Sequence, residues 1–204
     1  MDMIYTIIYN IYRLSNFDFD NCTNLNDEEE DYKQFIDKLN EFKDHPNLLS
    51  WQISDEMHHC FNKLLRHRTL AIHQLDPNHP SFTALFLPGE VNLLMNTTDI
   101  MGLDNYPIEE GRKIREVNYN MDEAYKEILK AKLFISVIQI FDWAFLYRNY
   151  KEQPDYKSNR PTLQEMRSMS WQAIVAGVKG LMYYSLWEFV EKINEFKDHP
   201  ALLS

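Results

Sequence analysis

Five apolar runs, each separated from the next by a stretch with helical spacing, limit what this chain can become. They are "NLLSWQIS" from Asn47, "SFTALFL" from Ser81, "DIMGLDNYP" from Asp99, "LFISVIQIFDWAF" from Leu133 and "GLMYYSL" from Gly180. Near-continuous apolar runs fit strands covered on both faces, as parallel strands are. Strands alternating with helices predict repeated βα units. Such crossovers are right-handed, which leaves a doubly wound sheet or a barrel. A dinucleotide-type doubly wound sheet needs a Gly-rich turn after its first strand, and this chain has five glycines and no such turn. A barrel is the expected architecture.

The intervening stretches carry their own signals. Tyr32, Phe35, Ile36, Leu39 and Phe42 have the three-and-four spacing of an amphipathic helix over Asp31 to Lys43. Cys60 to Gln74 is a second helix, "EVNLLMN" a short third, and Asp122 to Lys132 a fourth. In "PTLQEMRSMSWQAIVAGV" Thr162 and Glu165 form a capping box behind Pro161, and Gly177 or Gly180 ends the helix. Upstream, "MDMIYTIIYNIY" is β-branched and aromatic, so Met3 to Tyr12 is a candidate strand.

Composition narrows the function. A net charge of −10, from 31 acidic and 21 basic residues, argues against a nucleic-acid partner, whose footprint would be basic. The longest apolar run contains Asp142 and is shorter than the roughly 18–20 residues of a membrane helix, so no membrane partner is expected. The N-terminus lacks the pattern of a signal peptide, and localisation is left open. Two cysteines, Cys22 and Cys60, make no disulfide framework and are read as free thiols.

Five segments together resemble a known group. "FKDHPNLLSWQISDE", "LDPNHPSFTAL", "TDIMGLDNYPI", "ISVIQIFDWA" and "RPTLQEMRSMSWQAIVAGVKGLMYYSL" resemble, in order and spacing, a glycoside-hydrolase-type TIM barrel of the β-galactosidase-like clan. The resemblance covers about Asp31 to Leu186 and corresponds to strands four to eight. It implies an α/β fold, a partial (β/α)8 barrel with a parallel sheet and alternating helices. It also implies a carbohydrate substrate, no cofactor, and Glu56 at the end of the fourth strand as proton donor.

Glycosidic cleavage needs two carboxyl groups facing each other across the sugar, about 5–5.5 Å apart for retention and about 6.5–9.5 Å for inversion. Neighbours in one strand point to opposite sides, so Asp55 cannot partner Glu56. Asp142 and Asp104 are the available candidates, and Asp142 is taken as the second catalytic carboxylate. The clan carries a nucleophilic Glu at the end of strand seven, where this chain reads "VIQIFDWA" and has the amide Gln139. Asp55, Asp104, Tyr106, Gln139, Trp143, Tyr184 and Trp187 are the expected substrate-binding residues, aromatic rings suiting pyranose faces. Most barrel aromatics nevertheless pack the core, and Asp in a βα loop often caps a helix. The "MHHC" run from Met57 suggests metal ligands, but adjacent histidines do not by themselves converge on one ion, and no metal is expected.

Residues 1–30 are read as an extension, 31–190 as the partial barrel, and 191–204 as a tail repeating the helix–strand segment 37–50. "KINEFKDHPALLS" from Lys192 matches "KLNEFKDHPNLLS" from Lys38 at 11 of 13 positions, without the acid that follows the first copy. The absent first strands and the duplicated phrase suggest a truncated or rearranged gene and an inactive remnant as the alternative to an active hydrolase. Open sheet edges would then pair in a homodimer.

Overall fold

The computed structural model describes residues 5–8, 29–109, 112–128, 132–144, 147, 155–157 and 159–184. In chain order the elements are β1 (Tyr5–Ile8), α1 (Glu29–Phe42), β2 (Leu48–Asp55), α2 (Asn62–Leu75), β3 (Ser81–Leu85) and α3 (Val91–Leu94). They continue with β4 (Ile100–Asn105), α4 (Glu116–Ile128), β5 (Leu133–Gln139), α5 (Leu163–Ala176) and β6 (Gly180–Tyr184). Short 3-10 turns at His59–Phe61 and Pro88–Glu90 lead into α2 and α3.

The strands stand in the sheet in the order β1-β2-β3-β4-β5-β6. Pairs β1–β2, β2–β3 and β3–β4 are parallel. A doubly wound sheet reverses direction at a switch point. Here the order never reverses, so the chain is wound one way, as a partial α/β barrel. β1 falls inside the candidate strand Met3 to Tyr12. The fourth helix starts at Glu116, earlier than the sequence pattern suggested, because Val117 and Met121 are core residues of the same amphipathic face as Ala124. The second copy of the repeated phrase and Cys22 lie outside the described residues.

By its internal contacts the chain divides into two compact units, Met1–Leu103 with Asp122–Ile135, and Asp104–Met121 with Ser136–Ser204. In the first unit α1 packs on α2 through aromatic and cationic groups. Tyr32 stacks on His67 with ring centroids 4.6 Å apart, and the fully buried Arg68 lies 5.2 Å from the Phe35 centroid. A desolvated guanidinium over a ring is favourable by up to about 2 kcal/mol.

The strands of this unit carry buried hydroxyls, each needing a partner. Ser54 and Thr83 bond to each other between β2 and β3. Ser81 is the hub at the start of β3. Its hydroxyl donates to Asp99 at 2.8 Å and accepts from Thr69 at 3.1 Å and from the Asp99 backbone N–H at 3.0 Å. Asp99 also accepts the Ser81 backbone N–H at 2.8 Å and faces His73 Nε2 at 3.0 Å. Within β2, Trp51 Nε1–H donates to buried Asp76 at 2.7 Å, and His79 Nδ1 meets the same carboxylate at 2.8 Å.

The second unit is held by Ile108, Val117, Ile138, Met169 and Ala173, with Ile114, Met166, Val178 and Leu181 against them. Full burial of the Ile, Val and Met side chains of the first group contributes roughly 1.5–3 kcal/mol each. α5 has the expected capping box: Glu165 N–H donates to Thr162 Oγ1, and the Glu165 carboxylate accepts the Thr162 N–H. Gly177 closes it at φ 100, and Val178 N–H reaches the Ala173 carbonyl at 3.3 Å, the longer bond of a Schellman cap.

Two outcomes follow. A Cβ at Gly102 would lie 2.7 Å from Phe82 Cε2, inside a buried ring with no room to swing. Gly102→Ala therefore costs about 1–3 kcal/mol, read from the denaturant midpoint. Burial pushes the Asp99 carboxyl up, but hydrogen bonds from His73 and from Ser81, with the His73 charge, outweigh it and hold it below the usual 3.8. Its stabilising effect is present above the unfolded carboxylate range and is lost as pH falls through the lower folded value. Asp99→Asn should remove the acid-side slope of stability below about pH 4 that this group produces.

Candidate active site

The carboxyl-terminal ends of barrel strands are where catalytic groups gather. In the first unit β2 ends at Asp55, paired with Ala84, and the next N–H, that of Glu56, donates to the Ala84 carbonyl at 2.9 Å. Glu56 then turns out of the strand with φ 50, the one non-glycine residue with positive φ among those described. The left-handed region costs a side-chain-bearing residue roughly 1–2 kcal/mol. It leaves the Glu56 side chain exposed, while Asp55 stays largely covered. Burial first, and then the charge of Glu56, raise the Asp55 carboxyl to about 6. Gln52 Nε2 approaches Asp55 Oδ1 at 3.5 Å. The two carboxyl groups thus leave the strand end in different states, one exposed and one desolvated.

Three residues on, His58, His59 and Cys60 present ligand-type atoms within 4.8 Å of one another. This closeness is more than adjacent positions suggest, and it comes from the 3-10 turn. Cys60 is disulfide-bonded, which corrects the reading of Cys60 as a free thiol. Spacing in the sequence carries no sign of such a pairing, because it depends on tertiary approach.

In the second unit Gln139 ends β5, fully buried. Its Oε1 accepts the Ile108 N–H at 2.8 Å, and its Nε2 donates to the carbonyls of Ile108 at 3.1 Å and Phe141 at 3.2 Å. An amide is what this position requires, one acceptor and two donors in a single group. Its polar atoms are occupied by backbone. Asp142 is buried, and its Oδ1 accepts the Ala144 N–H at 2.9 Å and the Asn159 N–H at 3.0 Å. The Ala144 bond is the local cap that an Asp after a strand commonly makes.

Tyr106, Trp143 and Tyr184 come together, joined by Phe141, which sequence reasoning passed over. Tyr106 and Tyr184 stack at 5.9 Å, and Phe141 meets Tyr106, Trp143 and Tyr184 edge-on at 5.1, 5.0 and 5.8 Å. Tyr147 and Tyr156 extend the group, stacked at 4.1 Å, and Tyr147 donates its hydroxyl to Glu109 at 2.9 Å. The hydrogen bond to Glu109 raises the Tyr147 phenol above its usual 10. The interleaved aromatic and acidic residues of "FDWAFLY" were the available signal, but nothing in them specified Glu109. Asp104, at the end of β4, is buried. Trp187 lies outside the described residues. Asp55 and Glu56 belong to the first unit, and Asp104, Tyr106, Gln139, Asp142, Trp143 and Tyr184 to the second.

A partial TIM barrel with acidic and aromatic side chains at its strand ends is the class defined by this arrangement. Solved structures that it resembles include glycoside hydrolases. A candidate α-L-fucosidase from Bacteroides thetaiotaomicron superposes with TM-score 0.58 at 13% identity, over 88% of this chain and 62% of that one. A β-galactosidase candidate from Bacteroides fragilis gives 0.54 at 12%, over 88% and 26%. A mutant glycoside hydrolase family 5 mannosidase from Rhizomucor miehei gives 0.54 at 15%, over 79% and 48%. The chain thus spans less than two thirds of the length of each. Neither a protein-family profile nor a curated protein matches the sequence. Among the described residues no helix is long and apolar enough to cross a membrane.

The hydrogen bonds of Gln139 make a counter-intuitive outcome testable. Gln139→Glu would set acceptor oxygens against the carbonyls of Ile108 and Phe141. We expect a loss of about 2–4 kcal/mol at neutral pH, smaller in acid where the carboxyl can donate, measured by urea unfolding. Asp55 has the opposite sign from Asp99. Its folded value is raised, so its contribution is fully present below the unfolded 3.8 and is lost as pH rises through about 6. Asp55→Asn should gain stability over wild type at pH 7 and none at pH 3.5 on the same unfolding assay.

Proposed function

We propose that this chain is a glycoside-hydrolase-like protein that cleaves a glycosidic bond with Glu56 as general acid/base. The observation that carries the proposal is the backbone of Glu56, left-handed and exposed at the carboxyl end of β2. Strain of this kind in a non-glycine residue is retained where the surrounding structure holds it, often at functional positions. In a retaining reaction a general acid at this point protonates the glycosidic oxygen as its bond to the anomeric carbon breaks and the second carboxylate bonds to that carbon; as the base it then takes a proton from the water that displaces the carboxylate. Asp55, beside it in the chain, has its carboxyl raised to about 6 by burial and then by the Glu56 charge. Tyr106, Trp143 and Tyr184 offer ring faces to a pyranose, and Asp104 a carboxylate to its hydroxyls. Asp142, whose Oδ1 accepts the Ala144 and Asn159 N–H groups, is proposed as the second carboxylate.

A second reading is favoured by Gln139. The amide occupies the strand-end position where the clan's nucleophile stands, and its hydrogen bonds leave no room for exchange. On that reading the chain binds carbohydrate through its aromatic group without turning it over.

The purified chain, assayed on aryl glycosides, separates the two. Glu56→Gln should lower kcat by about 10²–10⁴-fold with the fold intact, and Glu56→Gly should do so while raising stability by about 1 kcal/mol. A folded wild type that shows no turnover, but whose tryptophan fluorescence shifts with added sugar, would support the binding reading and overturn the hydrolase.

A further inference from the structure

We propose that His58, His59 and Cys60 form a redox-gated site for a borderline-soft divalent cation of the Zn²⁺ type, a reading that does not depend on whether Glu56 catalyses anything. The three residues each bring one ligand-type atom, all within 4.8 Å of one another. Tetrahedral Zn²⁺ with bonds of about 2.0–2.3 Å places its ligand atoms roughly 3.3–3.8 Å apart, so only small side-chain rotations separate this cluster from a coordination sphere. His58 Nδ1 already lies 2.9 Å from Cys60 Sγ, and the two imidazole centroids are 3.9 Å apart.

The backbone explains this convergence. His58 is extended, at φ −63 and ψ 148, and His59 then enters the 3-10 turn that precedes α2. A change from extended to helical backbone turns successive side chains toward a common side, which neither a continuous strand nor a continuous helix does for neighbours. The turn is anchored, since Cys60 and Phe61 are buried. His59 supplies an independent sign of a missing ligand. Its Nδ1 is buried and has no hydrogen-bond partner among the described residues. A buried polar atom left without a partner costs on the order of 1–3 kcal/mol, and a metal bond would remove that cost.

The gate is the sulfur. In the disulfide, Cys60 Sγ carries no thiolate charge and is a poor ligand. A cellular dithiol that passes two electrons to the disulfide yields two protein thiols and its own disulfide. The Cys60 thiol then releases its proton to solvent as the S–Zn bond forms. Imidazole nitrogens with one thiolate are the donor set borderline-soft Zn²⁺ accepts, and three protein ligands leave a position for an exchangeable fourth.

Co²⁺ is the probe, because its thiolate complexes absorb by charge transfer in the near ultraviolet. Cys22→Ser removes the chain's other cysteine and presents Cys60 as a thiol without added reductant. If that variant does not fold by circular dichroism, wild type reduced with a dithiol and desalted without oxygen takes its place. We expect one equivalent of Co²⁺ per chain with the charge-transfer band, no band in the oxidised wild type, and none when Cys60→Ser is added. His59→Ala should weaken binding on the order of tenfold or more. A folded thiol form without the band overturns the site. Unchanged affinity in His59→Ala overturns the ligand set, and equal binding by the oxidised protein overturns the gate.

Discussion

A strand covered on both faces can carry a polar side chain only if that side chain finds its partner inside the protein, and most of this structure answers that constraint. β2, β3, β4 and β5 all hold buried polar residues, and each described contact is specific. Ser54 meets Thr83, Ser81 gathers Thr69 and Asp99, Asn105 donates to Ser136 at 3.1 Å, and Gln139 clamps Ile108. Each pairing links neighbouring strands or a strand to the helix or loop beside it. An apolar core could be slipped or repacked at modest cost. A satisfied polar core cannot, since a slip strands several buried donors and acceptors at once.

The two ends of the strands use the constraint differently. Ser81 and Asp99 stand at or just before the starts of β3 and β4, and Trp51, bonded to Asp76, is level with Ser81 in the sheet, where full hydrogen bonding serves stability. At the far ends the groups are less settled. Glu56 is strained and exposed, Asp55 is desolvated with a raised carboxyl, and the rings of Tyr106, Phe141, Trp143 and Tyr184 are grouped edge to face. This is the division of labour that barrel enzymes show between their two faces. Gln139 is the exception, a strand-end residue whose hydrogen bonding is as complete as that of Ser81.

Much of the architecture was legible because it rests on local signals. The five apolar runs, the capping box at Thr162 and Glu165, and the glycine at 177 reappear as β2 to β6 and α5, since hydrophobic period and cap chemistry act over a few residues. The aromatic group was half legible. Tyr106, Trp143 and Tyr184 were named from their strand-end positions, whereas Phe141 reads as one more apolar residue of its run. Cys60 was misread, because a disulfide is decided by how two distant positions approach each other.

What the sequence determined by itself was the repeat of strand and helix, the direction of winding that follows from it, and the place of Glu56 at a strand end. Those depend on side-chain period and on the handedness of L-residues, both local properties. Only the tertiary structure decided what the polar groups there can do. Gln139 became a clamp by meeting a backbone turn 31 positions away, and Asp142 acquired a second amide from Asn159, 17 positions on. Asp55 acquired its raised carboxyl first from burial, to which the charge of its neighbour Glu56 adds. The state of a polar group is set by the donors, charges and solvent around it, and those are brought there by the fold.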